Sequence, residues 1–161
     1  MRFLQNESLN LSLREATPED RNFLLEFYAS TRIDELEPFD WDEDQKRAFI
    51  EMQFLTRERS YPLVDDRIII LDGRPVGRML VDRNETGIVL RDIALLTECR
   101  NGGIGSRLIK DLMAEAAAAG KSIELHVFAI SPAVRLYERL GFRRTGPEGA
   151  YLEMKWVPAA S

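Results

Sequence analysis

Residues 99 to 116, CRNGGIGSRLIKDLMAEA, place three glycines in four positions and then begin a helical pattern at once. Glycine loses more conformational freedom on folding than any other residue. A chain that concentrates it where a helix starts must either turn sharply there or let something approach its backbone. A strand, a glycine turn and a helix N-terminus together make an anion site. The first helical N–H groups have no partner, and the helix end carries about half a positive charge. In this segment Leu95 and Leu96 end a strand, Arg100 to Gly105 turn, and Ser106 onward reads as helix. A plain strand-to-helix turn explains the same spacing, so the glycines alone leave both readings open.

The rest of the chain supplies a frame for that turn. Residues 9–14 alternate as a strand, and Thr17, Pro18 and Asp20 mark a helix start followed by a stripe of Phe23, Leu24, Phe27 and Tyr28. A second helix begins near Asp40 or Asp42 and ends before Pro62. Three β-rich runs, about 67–71, 76–82 and 88–96, are divided by DG and NETG and read as an antiparallel meander. After the glycine turn a helix runs to about Ala119, stopped by Gly120. A strand over 122–128, a helix over 131–140 capped by Ser131, and a hairpin across PEG complete the order βααβββαβαββ. That order predicts an α/β (α+β) mixed sheet with helices on both faces.

Size and charge bound the function. The 161 residues suit one domain, 1–161, with a real core, and the net charge of −5 argues against a nucleic-acid protein. No apolar run is long enough for a membrane span, and no signal core is visible at the start. A single cysteine, Cys99, allows no internal disulfide, which fits a reducing, cytoplasmic setting. Among phosphate motifs, Gly103 and Gly105 match the first two positions of G-x-G-x-x-G, with Glu124 downstream. Leu108 stands at the third position, however, and the preceding strand closes a meander instead of opening a parallel array. No Lys-Ser/Thr pair follows the glycines, so a P-loop is excluded.

RNGGIG resembles the R/Q-x-x-G-x-G/A signature of the GNAT acetyltransferase superfamily, with Arg100, Gly103 and Gly105 in the signature positions. SPAVRLYERLGF, residues 131–142, is similar to the N-P-A-x-x-L-Y-E-x-L-G-F helix of many members, and it follows in the same order with a strand between. The resemblance implies acetyl-CoA bound between two splayed parallel strands, 88–96 and 122–128, with a cofactor-binding core over about 88–142. It implies a diphosphate on Arg100, Asn101, Gly102, Gly103, Ile104, Gly105 and Ser106, and a pantetheine arm along Leu95, Leu96 and Thr97. Arg107 stands close enough in sequence to add charge there. The N–H of Leu95 would polarise the thioester carbonyl, Tyr137 would protonate the departing thiolate, and an amine would attack directly. Ser131 departs from the motif's usual asparagine, which commonly helps hold the cofactor arm.

Two residues, or a water chain with no dedicated base, compete to take a proton from the attacking ammonium. His126 is the only histidine and alternates away from Ile123, Leu125 and Val127; Asp92 lies in the preceding strand. Without the resemblance, Tyr137 reads as packing beside Leu136 and Phe142. The acceptor side of such a fold is built by the first two helices. There residues 34–44, DELEPFDWDED, hold seven acids and no base, which would attract a cationic amine such as a polyamine, an aminoglycoside or a lysine side chain, while an amino acid or a small amine fits equally well. Tyr28, Arg32, Glu35 and Trp41 are the candidate acceptor contacts, although Asp42, Glu43 and Asp44 are also natural first-turn acids. Family members often pair through edge strands, so a homodimer is an open option.

Overall fold

The structure is a computed structural model and describes residues 10–32, 36, 38–60, 65–100 and 102–159. The chain divides into two compact units, Met1–Arg14 with Asp65–Ser161, and Glu15–Val64.

The larger unit is built on a seven-stranded sheet of order β1-β2-β3-β4-β5-β7-β6. Its strands are β1 Leu11–Glu15, β2 Asp65–Leu71, β3 Arg74–Arg83, β4 Ile88–Leu95, β5 Ile123–Phe128, β6 Arg143–Arg144 and β7 Tyr151–Trp156. Asp72 and Gly73 both adopt left-handed backbone, which gives the two-residue turn that joins β2 to β3. The side chain of Asn84 accepts the N–H groups of Thr86 and Gly87 and closes the next turn. The meander is therefore as expected, and β3 at its centre is buried without interruption from Val76 to Val81.

Among the described residues of this unit are the helices α3 Ile104–Ala119 and α4 Ala133–Arg139. Ile104, Leu108, Ile109, Leu112 and Ala116 of α3 share one apolar core with Val134 and Tyr137 of α4. Ile88, Leu90, Ile123 and Leu125 complete that core from the sheet. Strand alternation does the sorting, since residues two apart share a face. Met79 and Val81 join this core, whereas Leu80 points to the opposite face. On β3, Arg78 is 4 % exposed, and its guanidinium binds both carboxylate oxygens of Asp66 on β2, at 2.9 and 2.7 Å.

The smaller unit holds a short 3₁₀ turn, Pro18–Asp20, and helices α1 Arg21–Arg32 and α2 Glu43–Ser60. At the first start, the Asp20 carboxylate accepts the Thr17 N–H at 2.8 Å. At the second, Asp42 accepts the N–H of Gln45 at 2.8 Å while the Gln45 side chain accepts the Asp42 N–H at 3.0 Å, a reciprocal cap. Tyr28 of α1 and Phe54 of α2 are both buried, with ring centroids 5.7 Å apart.

Three boundaries differ from expectation. The helix after the glycine turn starts at Ile104, two residues early, because left-handed Gly103 already completes the turn. The last helix is shorter, Ala133–Arg139, with Pro132 outside it. The first strand of the final hairpin shrinks to Arg143–Arg144, since only these two residues pair with β7.

Candidate functional site

The start of α3 is shaped by backbone alone. After β4 the chain makes a 3₁₀ turn at Thr97–Cys99, in which the Arg100 N–H donates to the Thr97 carbonyl at 3.2 Å. Gly103 then takes φ +85°, a conformation that costs most residues free energy and glycine little, and no side chain caps the helix. Arg107 N–H donates to Gly103 O at 3.0 Å. The N–H groups of Ile104, Gly105 and Ser106 therefore precede the first helical acceptor. A Cβ placed on Gly103 or on Gly105 would meet no atom within 4 Å. Packing within the protein thus does not demand a glycine at 105. A helix N-terminus with no capping side chain and with room for a side chain at both glycines fits a diphosphate. Asn101, expected in the same loop, lies outside the described residues.

Beside this turn the sheet opens. The parallel strands β4 and β5 pair over only three rungs, Ile88 with Ile123, Val89 with Glu124 and Leu90 with Leu125. Immediately after, the β3–β4 register shifts: Val81 faces Leu90, but Leu80 faces Asp92, leaving Arg91 as the extra residue of a bulge. The next residues of β4 follow β3 and leave β5. Gly77 permits this, because a Cβ there would collide with the Ala94 carbonyl. Leu96 N–H donates to Val76 O at 2.8 Å, so the neighbouring Leu95 amide points the other way, along the edge β5 has vacated. Ile93, two residues back, shares that direction, and its N–H was not singled out from the sequence. Only the register reveals which amides are left facing the gap. The Leu95 carbonyl accepts the Arg100 Nε–H at 3.1 Å, which ties the signature arginine to the strand end.

Tyr137 of α4 is 7 % exposed, and its ring packs against Phe142 at 5.6 Å. Its hydroxyl makes no hydrogen bond to the described residues, and no buried side-chain oxygen or nitrogen among them lacks a partner. The hydroxyl tip therefore reaches solvent. Burial first, and the Asp92 carboxylate second, push its pKa up to about 12. That second cause places Asp92 and Tyr137 in one electrostatic neighbourhood. The ring of Tyr137 belongs to the core, as its packing reading expects.

By the same register Asp92 shares the sheet face of Leu80, opposite α3. His126 shares that face from β5. Its side chain is 60 % exposed, and Nε2 lies 3.9 Å from Glu153 on β7. Ser131 precedes α4 and accepts the Ala133 N–H on Oγ at 3.1 Å, so its hydroxyl is engaged in starting the helix. Cys99 is half-buried against the core.

In the smaller unit, Tyr28 lies under two guanidinium groups, Arg32 at 4.9 Å and Arg57 at 5.6 Å from the ring centroid. Trp41 is flanked by Phe39 at 5.0 Å and Phe49 at 5.2 Å. Within the acidic run, Asp42 is spent on the cap of α2, and Glu43 and Asp44 stand in its first turn. Glu35, and with it Asp34 and Glu37, lies outside the described residues. Among the described residues no group of histidine, cysteine and carboxylates is arranged to hold a metal, and no helix is long and apolar enough to cross a membrane.

Residues 23–142 match the family model described as Acetyltransferase (GNAT) family. No curated protein matches the chain. Solved structures do. PaiA N-acetyltransferase from Thermoplasma acidophilum, in complex with coenzyme A, superposes with TM-score 0.68 at 17 % identity, over 92 % of this chain and 99 % of that one. PH1933 from Pyrococcus horikoshii OT3 gives 0.71 at 16 % identity, over 94 % and 100 %. A protein from Corynebacterium glutamicum described as histone acetyltransferase HPA2 and related acetyltransferase gives 0.64 at 22 % identity, over 94 % and 98 %.

Proposed function

Because the chain belongs to the GNAT acetyltransferase family, we propose that it is an acetyl-CoA-dependent N-acetyltransferase acting on a small-molecule primary amine of cationic character, its residues 1–161 forming one catalytic domain. The observation that carries the reading is the coincidence of three features in one unit. They are a glycine turn with no side-chain cap, a parallel strand pair that parts after three rungs, and a largely buried tyrosine whose phenol feels the charge of Asp92.

Acetyl-CoA supplies the acetyl group as a thioester. The N–H groups of Ile104, Gly105 and Ser106 would hold its diphosphate, with Gly102 and Gly103 shaping the approach. The amides of Ile93 and Leu95 offer the pantetheine arm a strand edge, and Leu95 N–H is the donor aimed at the thioester oxygen. Arg100 already occupies the Leu95 carbonyl, so it serves the strand end as well as the loop. Tyr137 stays protonated far above neutral pH and can give that proton to a thiolate. Asp92 is an acceptor on the sheet face opposite α3, and the bulge at Arg91 is what turns it there. Asp92 is favoured over His126 as base, because the Asp92 charge acts on Tyr137 whereas His126 is exposed beside Glu153.

Support for the amine is coarser. It rests on the relatives' acetyltransferase names and on the acidic run at 34–44. Thermal unfolding with acetyl-CoA, coenzyme A, NAD and ATP tests the donor. A ligand at about 100 times its Kd adds roughly 2.7 kcal/mol, a shift of roughly 5–10 °C for a chain of this length. Stabilisation by the two coenzymes alone, followed by thiol release with a polyamine or aminoglycoside panel, is the expected result. A folded protein indifferent to both coenzymes overturns it.

A further inference from the structure

The larger unit contains a second concavity that none of the catalytic candidates line. It is a cavity of about 380 Å³ between α3 and strands β1, β2 and β3. Its apolar surface comes from Leu11, Leu13, Met79, Val81, Leu108 and Leu112. That volume lies in the range of small-molecule sites.

The charged groups around it fall into two sets. Four are committed to one another. Arg83 binds both oxygens of Glu115 on α3 and also Asp65 on β2, and Arg67 binds Asp65 at 2.6 Å. Burial alone would raise the Asp65 carboxyl, but these two guanidinium groups overcome it and hold its pKa below the ordinary value. This network fixes one wall. The other two lining charges, Arg107 and Asp111 of α3, are exposed and have no partner among the described residues. They stand one helical turn apart, their Cβ atoms about 5–6 Å from each other on one face. Arginine four residues before a carboxylate is also the less favourable order for a pair within a helix. The cavity therefore presents one free cation, one free anion and an apolar floor beside them.

We infer that this cavity is a binding site for a zwitterionic α-amino acid with an apolar side chain. The carboxylate would lie on Arg107, the ammonium on Asp111, and the side chain on Leu13, Met79 and Leu108. The N–H groups assigned to the coenzyme do not line this cavity; Arg107, which the sequence also set beside the diphosphate, does, and for that reason the test is run with coenzyme A at saturation and its variant is at Asp111.

The test is isothermal titration and thermal unfolding of the whole chain, with coenzyme A present at saturation. L-leucine, L-methionine and L-phenylalanine are the probes, and isovalerate and isopentylamine serve as the single-charge controls. At least one amino acid should bind and raise the midpoint by several degrees, and the controls should bind at least tenfold more weakly. Asp111→Asn, at an exposed position, should weaken the amino acid at least tenfold while leaving the ligand-free midpoint and the coenzyme A affinity as they were. Ser12→Trp, on the exposed β1 rim, should block the cavity without touching either charge. Three results overturn the inference: no amino acid binds the folded protein, a single-charge control binds as well, or binding survives in both variants. The last would place the amino acid at the amine-acceptor site, and it leaves the acetyltransferase reading intact.

Discussion

Helices α2 and α3 meet the same problem at their first turn and answer it in opposite ways. Each exposes N–H groups that the helix itself cannot satisfy. At α2, Asp42 and Gln45 exchange hydrogen bonds through their side chains, and the start is closed locally. At α3, glycine replaces any capping side chain, and a Cβ at Gly103 or Gly105 would meet no atom within 4 Å among the described residues. The same contrast separates two polar side chains. The Arg78 guanidinium is met by both oxygens of Asp66, whereas the Tyr137 hydroxyl makes no hydrogen bond among the described residues. Groups that serve the fold are satisfied within it; the groups assigned to chemistry are left open for a ligand.

That distinction can be broken by mutation. Tyr137→Phe should lower kcat by roughly 10²–10⁴-fold, the usual worth of a general acid, with coenzyme A affinity unchanged. It should also abolish the tyrosine absorbance step near pH 12. A raised phenol pKa means stability that is complete below about pH 10 and lost as pH climbs towards the folded value. A gap of that size is on the order of 3 kcal/mol, and alkaline unfolding of the wild type against Tyr137→Phe measures it. A variant that loses stability but keeps its turnover would make Tyr137 a core residue only.

Asp66→Ala tests the opposite case. It removes the carboxylate that grips a buried guanidinium at both oxygens and should cost about 3 kcal/mol in denaturant unfolding, with KM for acetyl-CoA unmoved in whatever fraction stays folded. Gly105→Val sharpens the site side of the comparison. Its Cβ meets no protein atom, so the midpoint should hold while coenzyme A affinity falls about 100-fold, roughly 2.7 kcal/mol. The smallest effect is Asp42→Ala, a cap loss of about 1 kcal/mol, visible in thermal unfolding and absent from coenzyme A titration. Equal behaviour of the last two would erase the difference between the two helix starts.

Much of this molecule was legible in one dimension. Helix starts at Thr17 and Asp42, the two-residue turn at Asp72–Gly73 and the helix stop at Gly120 follow from side chains and glycines acting over a few residues. Local chemistry of that kind can be read from a local string. The glycine turn belongs with them, and so does the family, because RNGGIG and SPAVRLYERLGF are each short and contiguous. Tertiary structure decided what depends on distant partners. The bulge that sends Asp92 to the face opposite α3 exists only in the pairing of β4 with β3, and the vacated edge at Ile93 and Leu95 only in how briefly β4 meets β5. The effect of the Asp92 charge on Tyr137, the Arg100 bond to Leu95 and the cavity under α3 join residues that no periodicity relates. Periodicity records which way a side chain points along its own element. Register and strand divergence are set by pairing energies between segments far apart in the chain, and these settle which of those side chains share a site.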